Sequence, residues 1–164
     1  MLFAYICKSY KRKIAIVEVI IVEPLNTNFM NYKIIDVEGI GEVYSKKLIE
    51  AGIENIEALL EKGKKPAGRK ELAEVTGISE KLILTWTNHA DLMRIDGIGP
   101  QFSELLEAAG VDTVKELKHR VPANLQAKLE EVNEEKHLVR RVPSVKEVEK
   151  MVEQAKELPG VMEY

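Results

Sequence analysis

The sequence contains little cysteine, few aromatic residues and no excess of positive charge. Cys7 is the single cysteine among the 164 residues, so an intrachain disulfide is excluded. This usage is typical of proteins from reducing compartments, and we expect a cytoplasmic location. The formal net charge is −3 at pH 7. Because dedicated nucleic-acid-binding domains are usually basic, this charge argues against such a domain.

Metal-binding and catalytic motifs are also missing. His89, His119 and His137 have no cysteine or histidine at ligand spacing, so we predict neither a metal site nor a cofactor. The sequence has no Gly-x-x-x-x-Gly-Lys-[Ser/Thr] nucleotide loop and no paired nucleophile and base. Many carboxylates lie three or four positions from lysines, as on solvated helix faces. We therefore predict a protein without enzymatic activity.

The N-terminal region lacks a hydrophobic run long enough to cross a membrane. The apolar stretch at residues 14–22 is short and is interrupted by Glu18. The small-residue cleavage site of a signal peptide is missing as well, so no membrane association is expected. β-branched residues favour a strand here, but no second strand is visible to pair with it. We interpret residues 1–31 as an N-terminal extension and favour Met30 as the start of the native chain.

The most informative feature is a stretch that occurs twice, at a constant offset of 58 residues. The two copies align without a gap from Ile34 and Leu92 to Leu60 and Lys118. The identical pairs are Gly39/Gly97, Ile40/Ile98, Gly41/Gly99, Ser45/Ser103, Leu48/Leu106, Ala51/Ala109, Gly52/Gly110 and Leu59/Leu117. Such regularity indicates a tandem repeat.

Each copy is centred on Gly-Ile-Gly between two helical patterns. One glycine permits a turn with positive φ, and the next begins a helix whose first N–H groups are bare. The isoleucine between them can fill the groove of its own helix pair. This stretch resembles the helix-hairpin-helix motif. The second copy, with Pro100 in the first helical turn, is close to the usual pattern, whereas the first copy has Glu42 there.

The resemblance implies that these turns direct backbone amides at a nucleic-acid phosphate, a contact that carries no sequence information. The residues implied are Gly39, Ile40, Gly41, Gly97, Ile98 and Gly99. The simpler interpretation is that each turn only joins two packed helices. The resemblance alone leaves both interpretations open.

Charged residues near the turns favour the first copy as the binding site. Glu38 and Asp96 precede the two turns, and a carboxylate there repels a phosphate. Lys46 and Lys47 can offset this repulsion in the first copy. The corresponding residues of the second copy, Glu104 and Leu105, cannot. If DNA binds, we expect it at the first copy.

The most basic stretch of the chain, residues 62–70, follows the first copy. Its cations are Lys62, Lys64, Lys65, Arg69 and Lys70, and it contains no acid. We interpret the stretch as a loop. The loop either is simply solvated or contacts the phosphate backbone of a nucleic acid.

The segment after this stretch has a second turn pattern at Thr76-Gly77-Ile78-Ser79. Its spacing also fits a helix-turn-helix whose second helix, from Ser79 to about Asn88, would read the major groove. That helix has none of the arginines or glutamines most used for base edges, so we interpret the turn as a degenerate helix-hairpin-helix turn. We assign Trp86 to the core.

These observations predict an all-α fold with two tandem four-helix units of the helix-hairpin-helix (SAM-like) class. The units cover residues 32–91 and 92–164, pack without a linker and follow the short N-terminal extension. Thr113-x-x-Glu116 and Ser144-x-x-Glu147 predict capping boxes. In the second unit, residues 133–136 replace the glycine turn of residues 76–79, so we expect an irregular turn there.

Two families resemble the chain at larger scale. The first predicted helices resemble the N-terminal helix-hairpin-helix domain of archaeal and eukaryotic strand-exchange recombinases, without the ATPase core. Residues 68–74, 76–84 and 140–144 resemble a family of small bacterial and archaeal tandem helix-hairpin-helix proteins catalogued as a domain of unknown function. This likeness implies an architecture but no activity.

We therefore predict a non-enzymatic binding module that binds DNA weakly and without sequence preference. The contacts would come from the backbone amides of the first Gly-Ile-Gly turn and from nearby lysines. The alternative is a protein–protein interaction or scaffold module in which both hairpins are purely structural.

Overall fold

The computed structural model describes residues 32–164, so the interpretation of residues 1–31 lies outside the described residues. The regular secondary structure of the described part is helical, apart from one isolated bridge between Lys33 and Asn55. A 3-10 turn at Ile34–Asp36 precedes the helices α1 (Glu42–Glu50), α2 (Ile56–Gly63), α3 (Pro66–Thr76), α4 (Glu80–Leu92), α5 (Pro100–Ala108), α6 (Val114–Leu117), α7 (Pro122–Lys136) and α8 (Val145–Glu157). The prediction of an all-α fold is confirmed. None of the helices between residues 32 and 164 has the length and apolar character needed to cross a membrane.

Helices α2, α3 and α4 pack against one another, and α1 packs against the 3-10 turn. Helix α2 buries Ile56, Leu59 and Leu60, which recur at helical spacing and so form one apolar face. Two side-chain caps fix the starts of the neighbouring helices. Asn55 accepts a hydrogen bond from the backbone N–H of Ala58, and Ser79 accepts one from Leu82.

Helix α7 packs against α5 and α8, and α6 packs against α8. Helix α8 turns a stripe of apolar residues toward the core: Val148, Met151, Val152 and Ala155. The predicted capping box at its start is present. The Glu147 N–H donates to Ser144 Oγ at 3.4 Å, and the Ser144 N–H donates to Glu147 Oε2 at 2.8 Å.

The predicted capping box at α6 forms only in half. Thr113 Oγ1 accepts the N–H of Glu116 at 3.3 Å, as expected. The Glu116 carboxylate, however, accepts the N–H of Asp112 at 3.1 Å instead of that of Thr113. The reciprocal bond therefore reaches one residue further back than the pattern predicts.

Two sequence predictions about turns are wrong. Residues 62–70 do not form a loop, because α2 continues to Gly63 and α3 begins at Pro66, so that Lys64 and Lys65 alone lie between these helices. Residues 133–136 form no irregular turn either, since α7 continues through Lys136. The left-handed residue that ends α7 is His137, with φ of 52°, a conformation that non-glycine residues adopt less often.

A buried polar cluster joins α4 to the second half of the chain. The Asp91 carboxylate accepts a hydrogen bond from Arg94 at 2.6 Å and another from the backbone N–H of Val114 at 2.9 Å. Arg94 also donates to the carbonyl of Pro159 at 3.1 Å. Burial raises the pKa of the Asp91 carboxyl, while its hydrogen bonds to Val114 and Arg94 act in the opposite direction. One side chain thus fixes the start of α6 and, through Arg94, the chain after α8.

Candidate nucleic-acid interface

The two Gly-Ile-Gly stretches form turns with the same backbone geometry. We call residues 38–41 turn 1 and residues 96–99 turn 2. Gly39 has φ of +81° and Gly97 has φ of +88°, a region that a Cβ disfavours. In turn 1 the Ile40 N–H donates to the Val37 carbonyl at 3.0 Å, and in turn 2 the Ile98 N–H makes the equivalent bond at 3.1 Å. The repeat in sequence is therefore a repeat in structure at these turns.

The isoleucines of both turns point into the core. Ile40 and Ile98 are buried, so their side chains hold the turns in place and present nothing to a ligand. The glycines on either side are the residues whose backbone lies at the surface. Of the sequence-predicted turn residues, the glycines therefore remain candidates for direct contact, and the isoleucines are positioning residues.

The helices that follow the turns begin without a side-chain cap. Gly41 and Gly99 are the N-cap residues of α1 and α5, and within residues 32–164 neither helix start has a side-chain cap. Helices α2, α4, α6 and α8, in contrast, are all capped by a side chain. Because the first N–H groups of a helix have no partner within it, the starts of α1 and α5 keep donors for an external anion.

The space around the two helix starts differs. Among residues 32–164, no atom outside the neighbouring residues lies within 4 Å of the position that a Cβ on Gly41 would occupy. At Gly99 the same position lies 3.3 Å from the hydroxyl oxygen of Tyr32. The helix start at turn 1 is thus open, whereas Tyr32 covers the helix start at turn 2.

Carboxylates also collect beside turn 2. A cavity of about 370 Å³ is lined by Asp36 and Glu38 together with Gly99, Pro100 and neighbouring residues. Two like charges about 5 Å apart repel by roughly 1 kcal/mol in water and by more where water is partly excluded. Asp36 and Glu38 therefore disfavour a phosphate at turn 2, and Glu38, which is itself part of turn 1, disfavours a phosphate there as well.

A larger cavity lies on the other side of turn 2. It has a volume of about 440 Å³ and is lined by Gly97, Phe102, Arg141, Glu147, Met151 and neighbouring residues. Arg141 donates to both carboxylate oxygens of Glu147, each at 2.8 Å. This guanidinium holds the pKa of the Glu147 carboxyl well below its usual range. Arg141 is therefore already engaged by a carboxylate.

The lysines predicted to assist turn 1 occupy two environments. Lys46 is exposed on α1. Lys47 is half-buried, and its Nζ lies 4.0 Å from the position of a Cβ on Gly77, at the end of α3. An ammonium group is favoured there because a helix C-terminus carries partial negative charge. Lys47 therefore lies at the C-terminal end of α3, which leaves Lys46 as the freer cation.

The basic stretch separates into paired and exposed cations. Lys62 pairs with Glu71 at 2.6 Å, and Lys64 pairs with Glu61 at 2.7 Å. Lys65 and Lys70 are exposed. These two lysines therefore keep the most charge available for an external phosphate.

Arg69 does not lie on this surface. It is 3% exposed and donates to the carbonyls of Gly63 at 2.8 Å and Glu163 at 2.9 Å. A guanidinium held in this way cannot reach a nucleic acid. Arg69 is a structural residue, and the basic pattern in the sequence did not distinguish it from its neighbours.

The chain falls in the class of all-helical proteins with two equivalent glycine turns, and comparison with protein families assigns it more closely. Residues 38–158 match the model of the family described as Domain of unknown function (DUF4332), and the chain belongs to that family. Comparisons with curated proteins and with solved structures give no match.

Proposed function

We propose that the protein is a tandem helix-hairpin-helix module that binds the DNA backbone weakly and without sequence preference through turn 1. The observation that supports this most is the open start of α1, which has no side-chain cap and, among the described residues, no atom within 4 Å of the Cβ position of Gly41. Turn 2 has the same backbone, but the Tyr32 hydroxyl covers its helix start at Gly99. One anion site therefore remains of the two that the repeat offers.

Helix α3 connects this site to the exposed lysines. It begins directly after Lys65 and ends beside Lys47, and its 11 residues span roughly 16 Å at about 1.5 Å per residue. This length corresponds to about five nucleotide steps of about 3.4 Å along one strand. Backbone amides at turn 1 and ammonium groups at Lys46, Lys65 and Lys70 can then contact separate phosphates. We expect a Kd on the order of 10⁻⁴ to 10⁻⁶ M, as for non-specific binding.

The test is fluorescence anisotropy of a labelled 20-mer, duplex and single-stranded, at about 50 and 200 mM salt. A variant with Lys46, Lys65 and Lys70 changed to Gln should bind more weakly and with a smaller salt slope, since each lost phosphate contact reduces the slope by about 1. The control variant changes Lys115, Lys128 and Lys146 to Gln, which alters the net charge equally. Equal effects of the two variants, or no binding at ~100 μM protein, would contradict the proposal.

The alternative function is binding of a basic protein partner. The cavity at turn 2 favours it, because Asp36 and Glu38 adjoin Phe102 and Val139 there and so combine negative charge with apolar surface. A single stoichiometric partner in an affinity pull-down, lost in the Asp36→Asn, Glu38→Gln variant, would support this alternative.

A further inference from the structure

The indole of Trp86 lies directly beneath turn 1. Trp86 belongs to α4, is 2% exposed and packs against the Tyr44 ring with centroids 5.2 Å apart. Its Nε1 atom lies 3.1 Å from the position that a Cβ on Gly39 would occupy. The one tryptophan of the chain therefore directs its polar edge toward the backbone of the turn.

This indole N–H has no hydrogen-bond acceptor among residues 32–164. Two other side-chain nitrogens in that part of the chain, Arg69 Nε and His89 Nδ1, lack a partner and are completely buried. Trp86 Nε1 lacks a partner but is not completely buried. Buried tryptophans usually place this donor on an acceptor, because an unpaired donor is unfavourable. The Trp86 N–H is thus an available donor that an oxygen arriving from solvent can reach over Gly39.

We propose that Trp86 Nε1 donates a hydrogen bond to the phosphate oxygen that binds at turn 1. The inference rests on the proposed function and names a further residue of the same site. An oxygen at the position that the missing Cβ of Gly39 leaves empty lies at hydrogen-bond distance from Nε1. The bare N–H groups at the start of α1 follow within the same turn. Gly39 then has two roles: it adopts the positive φ of the turn, and its missing side chain leaves the indole N–H accessible.

Turn 2 provides the internal comparison. A Cβ on Gly97 would lie 3.4 Å from the terminal methyl carbon of Met151 in α8, which has no proton to donate. Helix α8 follows turn 2 as α4 follows turn 1, yet it offers a methyl group where α4 offers an N–H. Only the first copy of the turn therefore has a side-chain N–H donor for an oxyanion beside its first glycine.

The test combines NMR with binding measurements on the full chain. A single tryptophan gives a single indole ¹H–¹⁵N cross-peak, which is followed while an unlabelled 20-mer DNA is added. We expect a downfield shift of the indole proton on binding. The Trp86→Phe variant keeps a ring but lacks the donor, and it should bind the labelled 20-mer about tenfold more weakly. Circular dichroism melting shows whether this variant is folded.

A second pair of variants keeps the test decisive if Trp86→Phe does not fold. Gly39→Ala places a methyl group over the indole N–H, whereas Gly97→Ala introduces a similar strain at turn 2. Gly39→Ala should weaken DNA binding about tenfold, and Gly97→Ala should leave it unchanged. DNA binding with an unmoved indole peak and equal effects of the two alanine variants would overturn the role of Trp86 and leave the proposed function intact. Absence of DNA binding by the wild-type protein would overturn both.

Discussion

At the scale of single residues, buried side chains connect segments that lie far apart in the chain. Arg69 is the clearest case, because it binds the carbonyl of Glu163 across 94 residues. We expect Arg69→Ala to lower the free energy of unfolding by about 2–3 kcal/mol, since two charge-assisted hydrogen bonds are lost. The neighbouring exposed cation gives the control: Lys70→Ala should change stability by no more than about 0.5 kcal/mol. Urea unfolding measures both.

Hydrogen exchange provides a second measurement for the same prediction. The Glu163 N–H donates to the Lys64 carbonyl at 2.9 Å beside the Arg69 contact. This amide should exchange faster in Arg69→Ala than in the wild type or in Lys70→Ala. A variant that loses no stability and keeps this amide protected would show that Arg69 does not hold the C-terminal segment.

Glu107 should make stability depend on pH in the acid range. The hydrogen bond with His89, 2.8 Å from Nε2 to Oε2, lowers the pKa of the Glu107 carboxyl. A lowered pKa in the folded state stabilises the protein above the unfolded-state pKa of about 4.3, and this stabilisation is lost as the pH falls through the folded-state pKa. The difference in free energy of unfolding between wild type and Glu107→Gln should therefore decrease as the pH falls below about 5. Urea titrations from pH 3 to 7 check this, and a pH-independent difference would contradict it.

Sequence patterns could not assign the buried polar residues. Arg69 stands among lysines in a basic run, and its burial depends on Glu163, which no local pattern reveals. Tyr32 and Trp86 likewise acquire their places beside Gly99 and Gly39 from long-range packing. The turn glycines could be predicted, because a positive φ is a local requirement.

At the scale of helices, the two halves of the described chain alternate uncapped and side-chain-capped starts in the same order. The uncapped helices are α1, α3, α5 and α7, and the capped ones are α2, α4, α6 and α8. The sequence predicted the cap of α8 from Ser144 and Glu147 because a capping box is local. It failed at the end of α7, where His137 takes the left-handed conformation without a glycine.

The cap of α8 gives a prediction at this scale. Ser144→Ala removes the acceptor for the Glu147 N–H and should lower the free energy of unfolding by about 1 kcal/mol. Lys146→Ala, in the same helix turn but outside the cap, serves as the control and should have a smaller effect. Thermal or urea unfolding distinguishes them. If the two variants lose the same stability, the cap contributes nothing beyond helix propensity.

At the scale of the whole molecule, several contacts cross from the residues before Leu92 to those after it. The Asp91 carboxylate accepts the Val114 N–H, His89 contacts Glu107, and Arg69 holds Glu163. Buried apolar residues from both halves also form one hydrophobic cluster. Unfolding one of the two units proposed from the repeat would therefore break contacts that it shares with the other, although each unit has its own glycine turn.

We accordingly expect one cooperative unfolding transition for the full chain. Trp86 reports on α4 through its fluorescence, while circular dichroism at 222 nm reports on all helices. The urea midpoints of the two signals should coincide, because the shared contacts make separate unfolding unfavourable. Asp91→Asn weakens its bond to Arg94, which also holds Pro159, and should shift both midpoints together to lower urea. A fluorescence transition separated from the circular dichroism transition would show instead that the first four helices fold as an independent unit.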